Sequence, residues 1–167
     1  ARTASLNQRL ESARRLSDKG ILVGFHFHPI VHYEGWEKDY REIVNTLMET
    51  FSINEIALIS FGTLTFIKPA IKALRGVGTK SKILQMPFAE AAGKISYPID
   101  TKKKMFSEVW NSFAPWHDKV FFYFCMEDRE LWNHVFGRCY ESNDEFEIDL
   151  FDSVKRKLEL KTPIKVS

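Results

Sequence analysis

Gly24-Phe25-His26-Phe27-His28-Pro29-Ile30-Val31-His32-Tyr33-Glu34-Gly35-Trp36 is the stretch that decides the fold. Phe25 and Phe27 alternate with His26 and His28. That is the period of a β-strand, so the two histidines share one face and the two phenylalanines the other. The strand candidate covers residues 21–30, and Pro29, which has no N–H to give to a ladder, is expected to end it near His28. Gly35 then breaks the chain before a helix whose Trp36, Tyr40, Ile43, Val44, Leu47, Met48 and Phe51 form one apolar stripe. A buried strand leading into an amphipathic helix is the βα half of a unit that sets strands parallel and covers them with helices.

The flanks repeat this pattern. Upstream, Ser5 with Gln8 reads as a capping box, and Leu6, Leu10, Ala13 and Leu16 follow at helical spacing, with Gly20 just past the end. Downstream, residues 55–61 (EIALISF) read as a second strand, followed by Gly62. Pro69 suits the first turn of a helix that runs to about Arg75 and stops at Gly76. The second half is less regular. Residues 82–88 suggest a short strand, and residues 89–98 a loop or hairpin. Asp100 is expected to cap a helix carrying Met105, Phe106, Val109, Trp110 and Phe113. Residues 120–126 (VFFYFCM) read as a buried strand, and Leu131, Trp132 and Val135 as a short helix ending at Gly137. An acidic loop should then lead into a last helix over residues 150–160. The sequence contains no internal repeat.

A chain of 167 residues with 44% apolar and 14% aromatic content can build one core, which favours burial of large side chains over disorder. No apolar run is long enough to span a bilayer. The two cysteines, Cys125 and Cys139, cannot form a disulfide framework, and the expected setting is soluble, reducing and cytoplasmic. The net charge of +2 conceals an asymmetry. Residues 68–104 hold nine Lys or Arg against two acids, and residues 127–152 hold nine acids against two Arg. Two readings follow, a polarised surface that attracts an anionic partner or two separately solvated faces. The chain opens on Ala1 and enters its first helix almost at once, which suggests a fragment or a processed chain.

In an α/β protein, ligands gather at the carboxyl ends of parallel strands, and that is where His26 and His28 fall. With His32 and Glu34 they could also supply metal ligands, although zinc sites at such spacing generally draw further ligands from elsewhere in the chain.

The string GFHFHPIVHYEGWEKDYREIV, followed by EIALISFGTLTF, resembles the spore photoproduct lyase family of radical S-adenosylmethionine proteins. SKILQMPFAEAAGKISYPID and VFFYFCMEDRELWNHVFG add to the likeness, which covers nearly the whole chain. The helix start Glu34, Gly35, Trp36, Glu37 and Tyr40 carries most of its specificity. His28 stands where the family often has Asp, and Thr65 where it usually has Arg.

The resemblance implies an α/β fold that is the C-terminal half of a partial (β/α) barrel, with parallel strands, covering helices and a less regular C-terminal extension. Residues 1–78 would be the late β/α units. Residues 79–167 would be the extension packed on them in the same structural domain, with a substrate-facing loop at 89–98. The family's cluster-binding Cys-x-x-x-Cys-x-x-Cys motif has no counterpart here. The intact enzyme would use S-adenosylmethionine and a four-iron four-sulphur cluster, and neither is expected on this chain alone. In such a barrel His26, His28 and Ser60 would face the cofactor, and the catalytic residues would lie in the N-terminal half, which is itself an implied partner. Gly93-Lys94-Ile95-Ser96-Tyr97 resembles a family segment near the substrate, where Lys94 and Tyr97 would suit phosphate contact and base stacking. The implied function is radical lyase chemistry on a DNA lesion or related nucleic acid. The alternatives are a non-catalytic nucleic-acid-binding module built on residues 68–104 and a histidine-based metallohydrolase.

Overall fold

The computed structural model describes residues 3–77, 87, 89–91 and 94–161. Its centre is a parallel sheet of three strands, β1 (Val23–Ile30), β2 (Ile56–Thr63) and β6 (Phe121–Phe124), in the order β1-β2-β6. Helix α1 (Leu6–Ser17) precedes β1, and α2 (Trp36–Thr50) joins β1 to β2. The Ser5 capping box forms as expected. The Gln8 amide donates to Ser5 Oγ at 3.3 Å, and the Ser5 amide donates to Gln8 Oε1 at 2.9 Å. Gly35 caps α2 at φ +82°, a backbone region that favours glycine.

The crossover from β2 to β6 contains the less regular half. Strand β3 (Phe66–Ile67), β4 (Ala89–Ala91) and β5 (Lys94–Ser96) form a small antiparallel sheet in the order β3-β5-β4. Of the two readings of residues 89–98, the hairpin is therefore the one adopted. Helix α3 (Lys68–Gly76) has Pro69 in its first turn. Helices α4 (Ile99–Ser112), α5 (Arg129–Phe136) and α6 (Asn143–Lys161) complete the chain. The strand expected over residues 82–88 lies outside the described residues, apart from Pro87.

Three expectations are corrected. Pro29 does not end β1, because its missing N–H falls within a register shift between Phe27 and Ile30, after which Ile30 pairs with Thr63. Asp100 does not cap α4. Pro98 holds that position and Asp100 lies in the first turn. The last helix starts at Asn143 instead of Leu150. Ser142 Oγ accepts from the Glu145 amide at 3.2 Å, and Glu145 Oε2 accepts from the Glu141 amide at 2.7 Å. Acidic residues that suggested a loop thus stabilise a helix N-terminus.

The core lies on one side of the sheet and is largely aromatic. Phe27 meets Phe61 and Phe113 edge to face, with ring centroids 6.0 and 5.5 Å apart. Phe61 and Phe113 are fully buried, and Phe106, Phe122 and Phe124 continue the cluster. Side chains of this size each contribute about 1.5–3 kcal/mol through burial. No described helix is long and apolar enough to cross a membrane.

Candidate functional site

Alternation along β1 sends Phe27 into the core and leaves His26 and His28 on the opposite, exposed face. The parallel register places His26 beside Ser60, and Ser60 beside Tyr123. This gives one row of polar side chains across all three strands. Ser60 is fully buried, and its Oγ lies 2.5 Å from His26 Nδ1. Whichever atom donates, the bond fixes the imidazole and leaves Nε2 as the nitrogen open to a ligand.

His28 occupies the next row, toward the carboxyl ends. Its ring lies against Gly62 so closely that a Cβ there would come 2.7 Å from His28 Nδ1. Gly62 is therefore the residue that lets His28 lie down on the sheet. By sequence Gly62 marks only the end of a strand, whereas β2 continues through it to Thr63.

Beyond this row sits a buried ion pair that the sequence did not reveal. Glu127 follows β6, and its side chain is 3% exposed. Its Oε2 accepts from Lys102 Nζ at 2.7 Å, and its Oε1 accepts from the Thr63 amide and hydroxyl at 3.2 and 3.0 Å. The pair ties the end of β2, the end of β6 and α4 together. The available signal was position, since an acid directly after an apolar strand stands where ligands gather. Met126, beside it, has φ +57° and is 87% exposed.

Two tyrosines pin the loop after β1. Tyr40 Oη accepts from the Val31 amide at 2.9 Å, and Tyr97 Oη accepts from the His32 amide at 2.9 Å. Burial pushes both phenols above their ordinary pKa, so they remain protonated. Tyr97 is only 3% exposed, so it is a core residue and not the open loop ring expected for base stacking. Lys94, on β5, is exposed.

The histidines do not converge on a metal. His32 packs toward Trp36 and Tyr97, and Glu34 is exposed. Among the described residues, no three His, Cys, Asp or Glu side chains form a group that could hold a metal ion. The metallohydrolase reading loses its ligand set, and two cysteines cannot provide the three thiolates of an iron–sulphur cluster. Four of the nine cations in the basic stretch are neutralised by ion pairs. Lys102, Lys103, Lys104 and Lys68 pair with Glu127, Glu130, Glu37 and Glu90. Basic and acidic segments therefore meet partly as one network, and Lys72, Arg75 and Lys94 remain exposed without an ion pair among the described residues.

The sequence profile of the spore photoproduct lyase family matches residues 1–96. A spore photoproduct lyase of Geobacillus sp. is 29% identical over 83 residues, covering 48% of this chain and 24% of that protein. One from Clostridium acetobutylicum is 34% identical over 55 residues, covering 33% of this chain and 16% of that protein. The matched part thus spans a quarter or less of these relatives. Among solved structures, a spore photoproduct lyase complexed with dinucleoside spore photoproduct superposes with a TM-score of 0.60 at 22% identity. It covers 74% of this chain and 39% of that one. A mutant form with bound AdoMet and dinucleoside spore photoproduct superposes equally well. At this identity the likeness is one of fold.

Proposed function

Because the chain belongs to the spore photoproduct lyase family, we propose that it supplies the late strands and C-terminal extension of a radical S-adenosylmethionine lyase acting on a DNA lesion or related nucleic acid. In this reading residues 1–78 are the last β/α units of a partial barrel, and residues 79–167 pack on them within one structural domain. The barrel's first half, which would carry the cluster-binding cysteines and the catalytic residues, is the partner of the open side of β1.

One observation carries the assignment of roles. On the sheet face turned away from the aromatic core, His26 is held by buried Ser60 and His28 lies over Gly62, both near the carboxyl ends of the strands. Those residues would hold the nucleoside part of S-adenosylmethionine through ring stacking and hydrogen bonds. The fit rests on the available Nε2 of His26 and the low profile of the sheet at Gly62. When bound with a cluster supplied from outside this chain, the cofactor provides hydrogen abstraction, and this chain's residues position it and exclude water. Lys94 would approach a substrate phosphate, and Tyr97 would act indirectly by fixing the loop after β1.

The test uses a polypeptide carrying this chain together with the cluster-binding motif, reconstituted anaerobically. Reductive cleavage of S-adenosylmethionine should fall at least tenfold in His28→Ala with unchanged cluster content. Wild-type cleavage unaffected by both His28→Ala and Ser60→Ala would refute the assignment.

A further inference from the structure

The inward face of helix α6 mixes apolar and polar residues, with Phe146, Leu150 and Val154 half-buried along it and Phe146 packed on Phe121 and Tyr123. Ser153 and Lys157 are buried against the body of the protein, while Ile148 and Phe151 are 63% and 68% exposed. The lysine is the member of that face that an amphipathic helix does not normally bury. Lys157 Nζ donates to the carbonyls of Ile53 and Ile56 at 2.8 and 2.5 Å, and no carboxylate pairs with it among the described residues. A buried ammonium without a counter-charge is costly, and native proteins usually supply one.

The inward face of α6 borders a cavity of about 580 Å³. The cavity lies at the amino ends of the strands, because Asn54, just before β2, and Val120, just before β6, both line it. It is therefore on the opposite side of the sheet's length from His28 and Glu127. Lys119, Arg138, Arg156 and Lys157 line it against Asp118 and Asp149, a surplus of two positive charges. Arg138 is already committed to Asp149 at 3.4 Å, so the remaining cations outnumber the remaining acid. Phe121 and Phe136 contribute aromatic wall.

We propose that this cavity is a binding site for a phosphate-bearing ligand, with Lys157, Arg156 and Lys119 supplying the charge and the Ser153 hydroxyl a further donor. A phosphate offers several acceptor oxygens around two negative charges, which answers the surplus and the unpaired ammonium together. The volume falls in the range of small-molecule sites and leaves room for a flat group against the aromatic wall. The site would explain why α6 buries a lysine. Burial without a counter-charge holds the Lys157 ammonium at a pKa of about 8, and a bound phosphate would raise it. This inference does not depend on the reading of the strand carboxyl ends.

Three probes distinguish the sources of phosphate: inorganic phosphate, thymidine 5′-monophosphate and a short oligothymidylate, each titrated calorimetrically into the chain. Saturable binding with a dissociation constant of about a millimolar or tighter is expected for at least one. It should weaken at least tenfold in Arg156→Gln and Lys119→Gln, both exposed, with no change in thermal midpoint. Lys38→Gln, remote from the cavity, should leave it unchanged. Since Lys157→Met removes two hydrogen bonds to the backbone, Lys157 is followed in the unaltered protein by the NMR titration of its Nζ, which should move upward with ligand. Preference for monophosphate over oligothymidylate marks a free nucleotide, the reverse marks a strand phosphodiester, and binding of inorganic phosphate alone marks the free ion. No saturation by any probe, or binding equal in both cavity variants and wild type, overturns the proposal.

Discussion

Replacing Phe27 by Ala separates the two faces of β1 most sharply. Phe27 is 8% exposed and meets two other rings edge to face. Phe-to-Ala truncation in a core costs about 3–5 kcal/mol, and loss of two aromatic contacts places this site toward the upper end. For a domain of this size each kcal/mol shifts the thermal midpoint by about 2–4 °C, so a fall of about 12 °C is expected. His28, one residue on and exposed, should change stability by no more than about 0.5 kcal/mol when replaced by Ala. Urea denaturation followed by tryptophan fluorescence reads both variants, with Trp36, Trp110, Trp116 and Trp132 as reporters. A loss below about 1 kcal/mol for Phe27→Ala, or equal losses for the two variants, would refute the assignment of faces.

Glu127→Gln should destabilise by about 3–5 kcal/mol because it strands Lys102 in a mostly buried position, and Glu127→Leu with Lys102→Met should cost much less, as a double-mutant cycle would measure. The Arg14 guanidinium holds the Glu55 carboxyl well below the usual carboxylate range. A carboxyl depressed in the folded state stabilises above its unfolded pKa and loses that contribution as pH falls. Arg14→Ala should therefore lower the thermal midpoint at pH 7, and its gap from wild type should close in acid. Nucleic-acid binding by the chain should be weak and steeply salt-dependent, with log affinity dropping by about 0.9 per log unit of salt for each phosphate contact. Lys72→Gln and Lys94→Gln should reduce that slope in filter binding, and a salt-independent affinity would count against the role. Iron and sulphide assays after anaerobic reconstitution of the chain alone should find no stoichiometric cluster.

The alternation of Phe25 to His28 and the stripe from Trp36 to Phe51 were legible because one face of each element is buried, and burial imposes a period. The parallel order followed from buried strands alternating with amphipathic helices. Boundaries were less legible where chemistry outside the pattern decided them. Pro29 was absorbed by a register shift, and Ser142 with Glu145 began a helix inside what read as an acidic loop. The site was legible as far as strand ends could point to it. Gly62 and Glu127 escaped because their roles depend on partners distant in sequence, His28 and Lys102. Tyr97 escaped for the opposite reason. Its local motif suited an exposed loop, but its hydroxyl serves the backbone at His32.

The order β1-β2-β6 leaves β1 and β6 with one ladder partner each among the described residues. A sheet finished on neither side is a template for further backbone pairing. For this chain handled alone, the expected first mode of loss is therefore self-association along a strand, read as light scattering that rises with protein concentration below the melting of the aromatic core.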